Sequence, residues 1–514
     1  MKIFYLTTEA VPFAKTGGLA DVCGTLPSEV AALGHQCAVI MPAFRSVRQS
    51  SRPVETTDIS FAIPMSDSKL IGCRILKSSL SSDLAEPVPV YFIDQPQYFD
   101  RPSLYGDASG DYPDNAERFA FFGRTAIATM RRLGADADIV HCNDWQTGLV
   151  PAMLRAEPLS AKTKTVFTIH NLAYQGHFQR DQFRWTGMPW HHFHHESFEY
   201  YGGLNYLKTG LVTSDAITTV SPTYANEIKT PLHGCGLDPI LRGRSDVLTG
   251  IINGIDPEIW NPATDSKLKT NFDHTNWQSG KTDNKLALQA EVGLPQDAEV
   301  PLIGTVGRLA DQKGWDLMLP VIRRHVEQGR PSQWVVLGSG DPAVEQALRE
   351  LTAAAPEQVA AYVGFSDALA HRIEAASDLF VMPSRYEPCG LNQLYSLRYG
   401  AVSVVTATGG LADTIVDANP SSIADDIATG FHVDGYSVDG LDHAISRALR
   451  TRYHEKRNWK KIVERGMQQD WTWRKSAAQY ARLYESLGSL TADTSASPAK
   501  LDSLRSKTDV EYWQ

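Results

Sequence analysis

Several groups of residues along this chain have the types and spacing needed to handle a phosphorylated ligand. Lys15-Thr16-Gly17-Gly18 stands between an apolar run, KIFYLTTE, and a segment of helical periodicity. Two adjacent glycines let the backbone come close to a ligand, and the N-terminus of the helix that follows favours negative charge. A phosphate or diphosphate is the natural guest, a structural turn the alternative. The pattern is neither GxGxxG nor a P-loop, so dinucleotide oxidoreduction and ATP hydrolysis both lose support. Arg308 and Lys313, in GRLADQKG, put a fork of donors and a point charge on one strand-to-helix loop. Together they can neutralise a departing diphosphate; the bland alternative is a surface salt bridge.

His170-Asn171 closes the run VFTI, and Arg385-Tyr386-Glu387-Pro388-Cys389-Gly390 closes LFVMPS. Glu387 stands where it can accept hydrogen bonds from sugar hydroxyls. A single His or Glu at a strand end is usually solvated or capping, but two such termini, one in each half, are harder to dismiss. Cys389 has no paired histidine in a recognisable context, which makes it a weak nucleophile candidate. His191, His192, His194 and His195 invite a metal reading, yet they lie among Trp185, Trp190, Phe193 and Phe198 without HExxH spacing, and no metal site is predicted. Those aromatics suit either stacking on sugar rings or a packed surface loop.

These groups need a scaffold that brings strand ends together. Short β-branched runs followed by helical patterns recur as KIFYLTTE, CAVIMPAF, PVYFID, DIVHCND, TVFTIHN and AITTVS, the rhythm of a parallel α/β domain. After GIINGID and an irregular polar stretch the rhythm restarts with PLIGTVGR, QWVVLGSG, AAYVGF, LFVMPSRYE, VSVVTATGG and TGFHVD, so a second domain of the same class is predicted. The hexapeptide TGGLAD occurs twice, at Thr16–Asp21 and Thr408–Asp413, each time between a strand and a helix pattern. Val22, Leu26, Val30 and Leu33 give the first helix one packing face, with a stop at Gly34 and its free N–H groups facing the cleft. Ligands of open parallel sheets bind at the carboxyl ends of the strands, where the unusual sequences lie. Two facing edges would make an interdomain cleft.

At 514 residues two large domains are expected. The net charge of -10, without a basic run interleaved with aromatics, excludes a field for nucleic acid or anionic lipid. Six scattered cysteines suit a reducing compartment. The N-terminus is too short and too polar for a signal peptide, and no apolar stretch spans a bilayer, so a cytoplasmic location is predicted.

Taken together, KTGGLADV, HCNDWQTGL, FTIHNLAYQG, the Ser221–Ala225 run, IINGIDPEIWNPATD, VGRLADQKGWDL, PSRYEPCGLNQLYSLRYG and TGGLADT resemble the bacterial glycogen synthase and plant starch synthase family, in order from Met1 to about Gly488. The resemblance implies the GT-B fold, α/β with two doubly wound Rossmann-like domains across a catalytic cleft. Residues 1–250 would form the acceptor-side domain, 251–470 the nucleotide-sugar side, 471–487 a helix crossing back, and 488–514 a flexible tail. It implies retaining transfer of glucose from ADP-glucose to the non-reducing end of an α-1,4-glucan such as glycogen, starch or a maltooligosaccharide, with release of ADP and with no metal or other cofactor. Carried over position by position, Lys15, Gly17 and Gly18 would close over the donor, and Arg308, Lys313 and Gln312 would hold the diphosphate. His170 would lie beside the anomeric carbon, with Asp144 and Asp21 orienting sugar and acceptor. Glu387, Cys389, Gly390, Leu391 and Asn392 would bind the glucose, and Asn171, Asn253 and Phe365 would complete the donor site.

Three positions depart from the family's usual pattern. Phe365 stands where Tyr is common, which keeps stacking on adenine but loses a hydroxyl; Asn392 replaces a common Thr; and Ala407 stands where an Arg often precedes TGGL. Other readings are a transferase using another donor or a short phosphosugar acceptor, and a non-catalytic glucan-binding protein. The latter should have lost Lys15, His170, Arg308, Lys313 or Glu387, and this chain keeps all five.

Overall fold

The structure is a computed structural model that describes residues 1–50, 52–81, 84–107, 109–134, 136–156 and 162–493. The first sheet contains β1 (Lys2–Leu6), β2 (Gln36–Pro42), β3 (Glu55–Ser66), β4 (Lys69–Ser79), β5 (Pro89–Asp94), β6 (Ile139–Asn143), β7 (Lys164–Ile169), β8 (Ala216–Thr219) and β9 (Leu248–Gly250). Its order is β9-β8-β7-β6-β1-β2-β5-β4-β3. The second contains β10 (Leu302–Val306), β11 (Gln333–Gly338), β12 (Val359–Val363), β13 (Leu379–Met382), β14 (Val402–Thr406) and β15 (Gly430–Val433), ordered β12-β11-β10-β13-β14-β15. Every neighbouring pair in the second sheet is parallel.

All twelve runs recognised by composition become strands; the ten inside the sheets are covered on both faces and so read as near-continuous apolar segments, while β12 and β15 lie at the edges of the second sheet. The hairpin β3–β4 is different. It pairs antiparallel, alternates exposed and half-buried residues along Glu55–Ser66, and extends the first sheet at one edge. That sheet is therefore mixed at one edge, not wholly parallel.

The strand orders fix where a ligand can sit. In the first sheet the chain runs from β1 to β2 on one side and from β6 to β7 on the other, and in the second from β10 to β11 on one side and from β13 to β14 on the other, so the connections diverge between β1 and β6 and between β10 and β13. A crevice opens at such a switch point, outside the carboxyl end of the strand. The loop after β1 carries Lys15 to Gly18, and the loop after β10 carries Arg308 to Lys313.

Helix α1 (Gly18–Ala32) packs Leu19, Val22, Cys23, Leu26 and Val30 inward; Leu33 falls at its C-cap and is 47% exposed, so it does not join that face. Further helices near the strand ends are α2 (Pro222–Glu227), α3 (Trp315–Glu327), α4 (Asn392–Tyr399) and α5 (Gly409–Thr414). Helix α2 starts with Ser221 accepting from the Tyr224 amide at 2.8 Å and proline in the first turn, both favourable for initiation. Trp260, from the segment after GIINGID, lies stacked between the rings of His371 and Tyr395 at 3.8 and 3.6 Å, which seats that segment on the second half.

The last helix, α6 (Trp473–Asp493), returns to the first sheet and packs on α1. Trp473, Tyr480 and Tyr484 are buried there, and the Tyr484 hydroxyl lies 2.8 Å from Nδ1 of buried His141 on β6. Burial pushes the His141 imidazole down to about 3. The helix continues six residues beyond Leu487, where a flexible tail was expected to begin; positions 494–514 lie outside the described residues. Among the described residues no helix is long and apolar enough to cross a membrane.

Candidate active site

The loop after β1 is held by a carboxylate that sequence inspection passed over. Buried Glu9 accepts from the Thr16 amide at 2.5 Å, the Thr16 hydroxyl at 2.6 Å, the Gly17 amide at 3.2 Å and the Tyr105 hydroxyl at 2.7 Å. The amides of Thr16 and Gly17, just before the first helix, are thus committed to Glu9. Gly17 has an extended backbone with nothing within 4 Å of a would-be Cβ, and a would-be Cβ on Gly18 would lie 3.7 Å from Leu391 of the opposite half. These glycines provide clearance, not a special turn. Lys15, half exposed, reaches Asp21 on α1 at 2.7 Å. Burial raises the Asp21 carboxyl, and the Lys15 charge opposes that shift.

Asn143, Asp144 and His170 form the floor. Asn143 Nδ2 donates to the carbonyls of Leu6 at 3.1 Å and His141 at 3.4 Å, which leaves its Oδ1 to accept from His170 Nε2 at 2.9 Å. The network assigns the proton to Nε2 and leaves Nδ1 bare in the neutral ring. Burial keeps the ring neutral by pushing it down to about 3. Asp144 adopts φ 56°, ψ 178°, a region almost reserved for glycine, and its Oδ1 accepts from the His170 amide at 2.8 Å. Asn171 makes a local turn, its Oδ1 accepting from the Ala173 amide at 3.0 Å.

Burial pushes the Asp144 carboxyl up to about 7, with the amides of His170 and Asn171 opposing and the charge of Glu9 adding. A folded value above the ~3.9 of an unfolded aspartate means that its contribution to stability is complete below about pH 4 and is lost as pH rises towards about 7. Asp144→Asn retains an acceptor for the His170 amide but cannot ionise. Its Tm relative to the parent should therefore rise between about pH 4 and the folded value of about 7, then level off. Thermal melts across that range test this, and a difference independent of pH would show that Asp144 titrates as an ordinary carboxylate.

The second half supplies the cations. Lys313 Nζ lies 2.5 Å from Oε2 of Glu387, which is 5% exposed and also accepts from the Ser384 hydroxyl at 2.9 Å. Arg308 donates to Gln312 Oε1 at 3.1 Å and, across the cleft, to the Tyr174 hydroxyl at 3.4 Å. Gln312 donates to the Tyr386 carbonyl at 3.2 Å, tying the two loops together. Gly314, with φ 74°, would place a Cβ 2.0 Å from the Pro383 carbonyl oxygen, so only glycine lets the Lys313 loop lie against the strand end that leads to Glu387. Arg385 turns away, pairing with Asp311 at 3.1 Å and Asp316 at 2.9 Å.

Around Glu387 the remaining candidates divide. Asn392 donates to the Val306 carbonyl at 2.6 Å, anchoring α4 to the end of β10. Gly390 and Leu391 lie on the turn into that helix. Asn253 is buried beside Cys389, and its Oδ1 has no hydrogen-bond partner among the described residues. Burial pushes the Cys389 thiol up to about 12, which removes it as a nucleophile. Phe365 is 86% exposed at the end of β12, the outermost strand, two strands from β10.

The repeated TGGLAD has a structural counterpart. As Glu9 holds Thr16 and Gly17, Glu227 Oε1 accepts from the Thr408 hydroxyl at 2.9 Å and the Gly409 amide at 3.0 Å. Glu227 belongs to α2 of the opposite half, so the second copy is a clasp between the halves. Asp413 completes it by accepting from the Thr223 amide at 2.9 Å and hydroxyl at 2.6 Å. The echo itself was the available signal: two identical loops call for two similar partners.

Comparison with known proteins yields matches over nearly the whole chain. A family model described as starch synthase catalytic domain matches residues 2–243, and one described as glycosyl transferases group 1 matches residues 290–465. A glycogen synthase of Rhodopirellula baltica is 68% identical over 493 residues, covering 94% of this chain and 97% of that protein. One of Syntrophotalea carbinolica is 46% identical over 488 residues, covering 94% and 98%. The solved catalytic domain of starch synthase IV from Arabidopsis thaliana, bound to ADP and acarbose, superposes with a TM-score of 0.86 at 32% identity, covering 95% of this chain and 99% of that one. Sucrose-phosphate synthase from Thermosynechococcus elongatus, at 17% identity and a TM-score of 0.57, shares the fold alone.

Proposed function

This chain belongs to the glycogen synthase and starch synthase family of GT-B glycosyltransferases, and from that premise we propose that it transfers glucose from ADP-glucose to the non-reducing 4-hydroxyl of an α-1,4-glucan, with retention and release of ADP. The observation that carries this reading is the meeting of two switch-point loops, Lys15 to Gly18 on one side and Arg308 to Lys313 with Glu387 on the other, over the floor formed by His170. ADP as the nucleotide rests on the ADP-bound relative.

In this reading residues 1–250 form the acceptor side, residues 251–470 form the donor side, and residues 471–487 cross back to the first. Arg308, Lys313 and Gln312 hold the diphosphate, and Lys15 covers it from the other half. Their preorganised charge stabilises the leaving group, so the reaction as proposed uses no metal. Glu387 and the backbone from Cys389 to Asn392 take the glucose hydroxyls, and the unpaired Asn253 carbonyl is positioned as a further acceptor for one. Asn171 completes the donor side of the floor, and Phe365 offers its exposed ring to the adenine.

The bond from the anomeric carbon to the diphosphate oxygen breaks, and the bond to the acceptor 4-oxygen forms on the same face. The acceptor proton passes to the departing phosphate oxygen. His170, neutral, supports the oxocarbenium-like state with its bare Nδ1 or its carbonyl, while Asp144 and Asp21 orient sugar and acceptor. Incubation with labelled ADP-glucose and, in parallel, UDP-glucose on glycogen or maltooligosaccharide tests the proposal without added metal. Label in α-1,4-linked polymer with stoichiometric ADP is expected; ADP release without labelled polymer, or no turnover with either donor, would overturn it.

A further inference from the structure

Among the described residues four non-glycine positions have positive φ, and three of them, Asp144, Tyr201 and Cys235, belong to one hydrogen-bonded unit on the His170 side of the cleft. Asp144 is explained by the site floor. Tyr201 is not. It occupies a two-residue hairpin turn with Gly202, between Tyr200 and its cross-strand partner Gly203, and both turn residues have positive φ, 47° and 81°. Such a turn strongly favours Asn-Gly or Gly-Gly, and a bulky aromatic at its first central position is an outlier. The ring gains little burial in return, because Tyr201 is 89% exposed. A local rule broken without a structural gain points to a use outside the fold.

The hairpin is fixed to the candidate site. The Tyr200 hydroxyl donates to the Gly236 carbonyl at 3.0 Å, next to strained Cys235. The Cys235 carbonyl accepts from Gln175 Nε2 at 3.0 Å, and the same nitrogen donates to the Leu172 carbonyl at 3.2 Å, two residues from His170. Asn205, at the far end of the hairpin, donates to Gln175 Oε1 at 2.7 Å. Beside Gln175, Tyr174 is 54% exposed and takes the Arg308 contact from the opposite half. Exposed Tyr174 and Tyr201 therefore sit on one braced unit, with half-buried Tyr200 beside Tyr201 at a centroid distance of 4.7 Å.

We propose that Tyr201, with Tyr200 behind it, is a stacking platform for the α-1,4-glucan acceptor outside the cleft, binding sugar units beyond those at the reaction centre. This rests on the glucan-synthase reading for the identity of the ligand. The exposed Tyr201 ring is neutral and held edge-to-face by Tyr200 at 81°, which matches the apolar face of a pyranose better than it matches a charged partner.

The test is maltoheptaose binding to the intact protein by calorimetry, without donor, for the parent, Tyr201→Asn, Tyr201→Gly and Tyr201→Phe. Asn and Gly suit the left-handed turn, so both variants should melt no lower than the parent. Their Kd should rise about three- to tenfold, while Phe, which keeps the ring, should bind as the parent does. Unchanged binding in the Asn and Gly variants, an equal loss in the Phe variant, or no maltoheptaose binding by the parent would overturn the platform. Transfer assays on the same proteins separate the two readings. A parent that binds glucan through Tyr201 but transfers no glucose defeats the synthase reading alone, and a parent that transfers glucose with binding indifferent to Tyr201 defeats the platform alone.

Discussion

Replacing Lys313 with alanine is expected to lower kcat by about a hundredfold or more, the scale seen when one preorganised electrostatic contact to a developing charge is removed. The ammonium lies on a loop that Gly314 holds against Pro383, and its partner Glu387 is fixed by Ser384, so its position is set before any substrate arrives. A contact strengthened as negative charge builds on the leaving diphosphate acts on turnover more than on donor KM. The substitution also leaves Glu387, 5% exposed, with only the Ser384 hydroxyl among these partners. Glu387→Gln in the Lys313→Ala background separates the two effects, since it removes the stranded charge without restoring the cation. Steady-state ADP release from both proteins is the measurement. Turnover within about threefold of the parent in Lys313→Ala, or recovery in the double variant, would remove Lys313 from the chemistry.

The largest expected loss of stability is at Tyr484. The side chain is fully buried, its hydroxyl lies 2.8 Å from His141 Nδ1 and 3.3 Å from the Tyr5 hydroxyl, and its ring meets those of Tyr5, His141 and Tyr480. Truncation to alanine opens a cavity costing about 3–5 kcal/mol and leaves a buried imidazole nitrogen unpaired, adding about 1–3 kcal/mol. Against a total of roughly 5–15 kcal/mol this is severe, and Tm should fall on the order of 10 °C. Tyr484→Phe keeps the ring and should lose much less. Circular dichroism melts of both variants decide the matter: a Tyr484→Ala protein melting within about 2 °C of the parent would mean that α6 contributes little to the first sheet.

What the sequence disclosed, and what it withheld, follows from the range over which each interaction acts. Strands such as TVFTIHN and LFVMPSRYE were legible because burial on both faces of a central strand leaves an unbroken apolar run. The pairs Lys15-Gly18 and Arg308-Lys313 were legible because each lies within one loop. Strand order was not, since nothing local places β1 between β2 and β6, and that order is what turns two loops into facing walls. Lys313 and Glu387 meet across 74 positions and Glu227 meets Gly409 across 182, separations that no short window spans. Glu9 was passed over because a carboxylate just after a strand resembles an ordinary solvated end; its burial depends on Tyr105, which comes 96 residues later. Cys389, a weak nucleophile candidate in the sequence for want of a paired histidine, is in the packed structure a thiol sealed and held protonated. The hairpin β3–β4, with its alternating exposure, lacked the apolar continuity that marked the other strands.

The return of α6 also has a consequence for the order in which the molecule can be completed on the ribosome. Domains ordinarily fold as units as they emerge, the N-terminal one first. Here the first sheet is finished at Gly250, yet the tyrosine that covers His141 and Tyr5 is added roughly 230 residues later. At about 5–20 residues per second, that leaves on the order of ten to fifty seconds during which the first-made half exists without its closing piece. The half synthesised first is thus the last to be sealed, and during that interval the exposed flank of its sheet is where a chaperone would have most to shield.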